Sequence, residues 1–117
     1  MEAFNAYRER MNERILAQDN LLLKRFFSLD NQAYKEGALS VETKEMLGLI
    51  ASLVLRCDDC VRYHLGKCHE LGISTEAIYE IFGIGNLVGG SICIPHTRRA
   101  VEYWDALNDQ KEAPHAR

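Results

Sequence analysis

The strongest constraint on this chain is a hydrophobic pattern of helical period that recurs from end to end, with no convincing period-2 alternation. Its densest part runs from Met46 to Leu55. That segment is apolar almost all round apart from Gly48 and Ser52, which predicts a central, buried helix. Before it, Phe4, Tyr7, Met11 and Ile15 mark one face of a first helix. Leu22, Phe26, Leu29 and Ala33 mark a second, with Asp19 as its expected N-cap and Gly37 at its C-terminal end. Ser40 is the expected N-cap of the third helix, with Glu42 in the first turn, where the helix dipole favours an anion. A fourth begins at Cys57 and closes at Gly72. Ser74 caps a fifth, with Ala77, Ile78, Ile81 and Phe82 facing inward.

Gly83, Gly85, Gly89 and Gly90 predict close backbone approach followed by a break. A last helix carries Ala100, Val101, Trp104 and Leu107, and Pro95 either starts it or kinks it. The expected fold class is therefore all-α, with about six helices. The chain reads as one domain: residues 1–36 a helical N-terminal arm, 37–107 the core, and 108–117 a polar, flexible tail.

Charge and composition narrow the function. A net charge of −3 gives no general reason to bind nucleic acid or an anionic membrane, since either would favour a basic face, so neither is an expected partner. The N-terminus MEAFNAYRERMNERIL is charged from its second residue and lacks the apolar region of a signal peptide. No apolar run approaches the ~20 residues that span a bilayer. The expected location is cytoplasmic. There, a close pair among the four cysteines is more often catalytic or metal-binding than a structural staple.

The chemistry concentrates in Cys57-Asp58-Asp59-Cys60-Val61-Arg62-Tyr63-His64. A two-residue gap at the first turn of a helix brings two thiols within disulfide reach, where free N–H groups and the helix dipole favour thiolate. His64 lies one turn beyond Cys60 on the same face and can accept a thiol proton. Zinc is the competing reading, with Cys68 or His69 as a fourth ligand. A single helix over 57–68 would put those ends about 16 Å apart at ~1.5 Å rise per residue, too far for one ion, which leaves only a three-ligand site of Cys57, Cys60 and His64 completed by His96 or a carboxylate. No metal and no cofactor is expected.

Asp58 and Asp59 disfavour a nearby thiolate, which points to a reductant rather than a strong oxidant; Arg56 and Arg62 oppose that effect. Cys68 and Cys93 read as small core residues, and His69 as solvent-facing. His96 either lines the site or caps a helix. Arg98 and Arg99 read as surface or subunit ion pairs, and Tyr103 and Trp104 as core or interface residues.

With Glu45 twelve residues ahead of Cys57, the pattern becomes Glu, eleven intervening residues, Cys-x-x-Cys, three residues, His. In this combination residues 37 to 107 resemble the AhpD-like (alkylhydroperoxidase) branch of the carboxymuconolactone decarboxylase superfamily. The resemblance implies an all-α fold assembling as a homotrimer or homohexamer, and a redox-active Cys57–Cys60 disulfide. It also implies a proton relay of Glu45, Cys57, Cys60 and His64 that supports disulfide exchange and, in some members, peroxide reduction. The implied partners are a peroxide or disulfide substrate and an external dithiol or protein reductant. The chain departs from the pattern at Asp59, where the best-known members carry a histidine just before the second cysteine. This weakens the peroxidase expectation more than the dithiol one. Thioredoxin-like logic makes Cys57 the nucleophile; proximity to His64, and the resemblance, favour Cys60, with Cys57 resolving.

Two other functions compete. One is decarboxylation or isomerisation of a small lactone acid, with His64 and Glu45 as acid and base. That activity would survive alkylation of the thiols. The other is a non-catalytic assembly module, which would form no disulfide under mild oxidation.

Overall fold

Four helices in this protein begin where a side chain takes over an orphan backbone N–H. The computed structural model describes residues 2–112, with helices α1 (Glu2–Ala17), α2 (Leu21–Ala33), α3 (Val41–Val54), α4 (Asp58–Glu70), α5 (Thr75–Gly89) and α6 (Ile94–Glu112). A single 3-10 turn, Ser91–Cys93, joins α5 to α6. Among the described residues there is no strand, so the fold is all-α with six α-helices, as the periodicity predicts. Among the described residues no helix is long and apolar enough to cross a membrane.

Ser40 and Ser74 cap α3 and α5 as expected, each accepting a backbone N–H at 3.1 Å, from Thr43 and Ala77. The expected cap of α2 is displaced by one residue. Asp19 sits in the left-handed region at φ 63°, where the chain leaves α1, whereas a capping residue needs extended backbone. Asn20 supplies that conformation, and its Oδ1 accepts the Leu23 N–H at 3.0 Å. Gly37 does not end α2. The helix stops at Ala33, and the Lys35 N–H reaches the Gln32 carbonyl at 3.2 Å, a tight closure that needs no left-handed residue.

The chain divides after Ala38 into two units. In the first, α2 has no buried residue, and Leu22, Phe26 and Leu29 along its stripe are all exposed, Leu22 by 76%. The second contains a core in which α3 packs against both α4 and α5, and α4 also packs against α6. Leu49 and Leu53 of α3 meet Val61, Leu65 and Cys68 of α4, Ile78 and Phe82 of α5, and Ala100 and Trp104 of α6. Each large apolar side chain removed from water here contributes about 1.5–3 kcal/mol. Trp104 is 1% exposed, so it belongs to the core, and its indole N–H donates to Thr75 Oγ1 at 2.9 Å.

α3 is central but not buried all round. Leu47, Ala51 and Leu55, spaced by four, leave an apolar stripe in solvent, with Leu55 77% exposed. The glycines separate by role. A Cβ on Gly85 would stand 2.9 Å from Leu53, and one on Gly89 2.6 Å from the Cys93 sulfur, so both mark close packing. Gly90, at φ +90°, makes the break; Gly83 would meet nothing within 4 Å and marks no approach. Pro95 starts α6 rather than kinking it, lying in the first turn where its missing N–H costs no helix bond. The segment expected to be a flexible tail from 108 is helical through Glu112; its remainder, 113–117, lies outside the described residues.

Candidate active site

The cysteine pair is positioned by the turn between α3 and α4. Arg56 adopts the left-handed conformation (φ 62°), so its N–H bonds the Leu53 carbonyl and the Cys57 N–H bonds the Ser52 carbonyl, both at 3.0 Å. This paired closure ends α3. Cys57 is thus the last tied residue of one helix and the N-cap of the next, one place before the helix it was expected to begin. Its sulfur accepts the Cys60 N–H at 3.3 Å, so it faces the positive end of α4. Cys57 is half-buried and Cys60 exposed.

One turn below Cys60 the environment changes from wet to dry. His64 is 8% exposed and Glu45, from the second turn of α3, 4%. The two meet at 2.7 Å, His64 Nδ1 to Glu45 Oε1. An ionised carboxylate can only accept, so the partner Nδ1 carries the hydrogen and donates it. The basic nitrogen of a neutral His64 is then Nε2, the arrangement in which a carboxylate orients an imidazole for proton transfer.

A second pair of contacts forms beside the cysteines. His96 does not cap a helix; its Nδ1 lies 2.8 Å from Oδ1 of Asp58, the first residue of α4, and Arg99 Nε donates to Asp58 Oδ2 at 2.8 Å. Partial burial pushes the Asp58 carboxyl up, but the hydrogen bonds from His96 and Arg99, with their charges, outweigh it and hold it below the usual carboxylate range. Asp59 is exposed in the same turn. His96 and Arg99 share a helix face at a spacing of three, which is visible in the sequence; the carboxylate they meet, about forty residues away, is not.

The carboxymuconolactone decarboxylase family model matches residues 20–103, from the cap of α2 well into α6. The chain belongs to the carboxymuconolactone decarboxylase family. A crystal structure of a Thermotoga maritima protein is 48% identical and superposes with a TM-score of 0.93 over 96% of this chain and 98% of that one. A second Thermotoga maritima structure, 48% identical with a TM-score of 0.90, covers 94% of this chain and 93% of its own. It is described as a carboxymuconolactone decarboxylase family protein with a suggested part in antioxidative response. A family protein from Legionella pneumophila shares the fold at 22% identity and a TM-score of 0.77, over 92% of this chain and 98% of that one. An uncharacterized Cupriavidus necator protein is 29% identical over 76 residues, 65% of this chain and 67% of its own.

In this family member the other two cysteines are core residues. Cys93 is fully buried, its sulfur 3.7 Å from the Leu53 carbonyl. Burial, and then the Glu45 carboxylate, push the Cys68 thiol up to about 12. His69 is not solvent-facing. It is half-buried, Nε2 lies 3.0 Å from Asn108 Oδ1, and its ring meets Trp104 edge-on at 5.2 Å. Among the described residues no three His, Cys, Asp or Glu side chains are grouped to hold a metal ion.

Proposed function

We propose that this protein is a thiol–disulfide oxidoreductase acting through Cys57 and Cys60, with Glu45 and His64 handling protons. The observation that carries this reading is the buried Glu45–His64 pair, one turn beneath an exposed cysteine whose neighbour caps the same helix. His64 Nε2 takes the Cys60 proton. The Cys60 thiolate then attacks one sulfur of a disulfide, the other sulfur leaves, and His64 returns the proton to it. Attack by Cys57 on the mixed disulfide releases the second thiol and closes Cys57–Cys60. With a peroxide, Cys60 becomes a sulfenic acid as the alkoxide takes the proton from His64, and Cys57 displaces water from it. An external dithiol or protein reductant restores both thiols.

The antioxidative part suggested for the Thermotoga maritima relative supports this chemistry. Asp59 directs the expectation toward disulfide exchange over peroxide turnover. Counting free thiols tests it. Stoichiometric oxidant should remove two thiols per chain in the wild type and none in Cys60→Ser, while Cys57→Ser should stop at a Cys60 sulfenic acid or mixed disulfide. Retained oxidation in Cys60→Ser with loss in Cys57→Ser would reverse the roles. No loss in the wild type would favour acid–base chemistry by His64 and Glu45 on a lactone acid.

We also read the protein as a homotrimer or homohexamer. Leu22, Phe26 and Leu29 of α2, and the stripe formed by Leu47, Ala51 and Leu55, are exposed, and apolar stripes of this kind are normally covered. Light scattering should give a mass of three or six chains, and a monomer would contradict the assembly.

A further inference from the structure

Asp58 is placed where its charge works against the chemistry proposed for its neighbours. It opens α4 directly after Cys57, and a bare carboxylate there opposes a thiolate on either cysteine of the pair. The structure does not leave it bare. Both of its oxygens are engaged from the first two turns of α6, Oδ1 by His96 and Oδ2 by Arg99. Arg99 also brings Nη2 within 3.2 Å of His96 Nδ1. Since that nitrogen donates its hydrogen to the carboxylate, the approach is a packing contact that fixes the order of the three groups. The clamp stands at one end of the α4–α6 interface, where Val61, Leu65, Ala100 and Trp104 are buried.

We infer that Arg99 and His96 are positioning residues that neutralise Asp58, and that this clamp keeps the Cys57–Cys60 dithiol reactive and sets its equilibrium with the disulfide. The inference rests on the dithiol reading above. Neither residue touches the cysteines in the bonds described; they act through the charge they cancel. The held-down Asp58 carboxyl agrees with this, because it is the anionic form that the clamp binds.

A single charge in the first turn of a helix, partly exposed to water, changes the stability of another by a factor of roughly two to five. Arg99→Gln uncovers Asp58. It should slow alkylation of the reactive thiol at pH 7 by about two- to fivefold, and shift the equilibrium with dithiothreitol toward the protein disulfide by a similar factor. Arg99→Lys keeps the charge and should restore most of both. Asp58→Asn removes the anion and should move both readouts the opposite way. The double variant, having lost one charge of each sign, should return to within about twofold of wild type.

A merely structural clamp would change melting temperature without moving the thiol equilibrium in opposite directions for the two single variants. The inference is overturned if Arg99→Gln and Asp58→Asn both leave the equilibrium unmoved while the wild type still forms its disulfide; the proposed function would then stand. If the wild type forms no disulfide at all, the proposed function fails and the clamp's redox role falls with it. Should either single variant fold poorly, His96→Gln gives the same reading with Arg99 in place, and a shift toward disulfide is expected there too.

Discussion

Glu45→Ala should lower dithiol turnover by about two to four orders of magnitude, the range that positioned acid–base groups supply. Two losses combine. His64 no longer has a partner that holds the hydrogen on Nδ1, so Nε2 is no longer fixed as the basic nitrogen that the proposed relay requires. A nearly buried ring donor is also left without an acceptor, which costs about 1–3 kcal/mol of stability in addition to the cavity. Glu45→Gln separates the two. Its amide oxygen can accept from Nδ1, so stability should fall by no more than about 1 kcal/mol. The lost negative charge should still cut turnover, by roughly tenfold, because it no longer stabilises a protonated imidazole. Steady-state reduction of a model disulfide, with thermal melting of each variant, checks both numbers. Equal turnover in wild type and Glu45→Ala would remove Glu45 from the relay.

That pair is hard to explain as a device for stability. A buried carboxylate repays its desolvation poorly even when hydrogen-bonded, and an apolar side chain of similar volume would serve this core at least as well. Glu45 stands at the start of a segment that is otherwise nearly all apolar, one and two turns before Leu49 and Leu53, both at 0% exposure. A group that is costly to bury and aimed at an imidazole one turn from an exposed thiol points to chemistry.

The parts of this arrangement legible in the sequence are those governed by local rules. Ser40 and Ser74 announce helix starts because capping depends on a residue and the one three places on. The spacing of Cys60 and His64 follows from helix geometry, and Glu45 was reachable through a family spacing. What stayed hidden depends on backbone conformation or on distant contacts. Nothing marks Arg56 as left-handed, since glycine is the residue that usually signals that state; the bond from Cys57 to Ser52 requires it all the same. Asp19 and Asn20 are both good caps by composition, and only the left-handed turn at Asp19 decides between them. The clamp on Asp58 joins residues about forty positions apart, beyond any periodic pattern. The all-round apolar segment of α3 misled in a different way. Periodicity reports which side chains avoid water, not whether this chain or another copy covers them.

Cys68 supplies an expected result with a definite sign. It is fully buried, and desolvation, followed by the Glu45 carboxylate, pushes its thiol from 9.0 up to about 12. In the folded protein the thiol therefore stays protonated over a range where the unfolded chain's thiol ionises. The group's contribution to stability is complete below about pH 9 and is lost as pH rises toward 12, at up to about 1.4 kcal/mol per pH unit. Allowing for solvent screening, the full loss is about 2–4 kcal/mol, of which about 1 kcal/mol is gone by pH 10. Urea unfolding at pH 8 and pH 10 tests this in wild type and Cys68→Ala. The variant is expected to start less stable, because it leaves a small cavity, and to lose about 1 kcal/mol less between the two pH values. All other groups are common to both proteins and cancel in the difference. Identical pH slopes would show that Cys68 ionises as readily folded as unfolded. The same physics separates the cysteines by role. Cys60 is presented to solvent one turn above an oriented imidazole, whereas Cys68, two turns further down the same helix, is held neutral by its surroundings and by the carboxylate that orients His64.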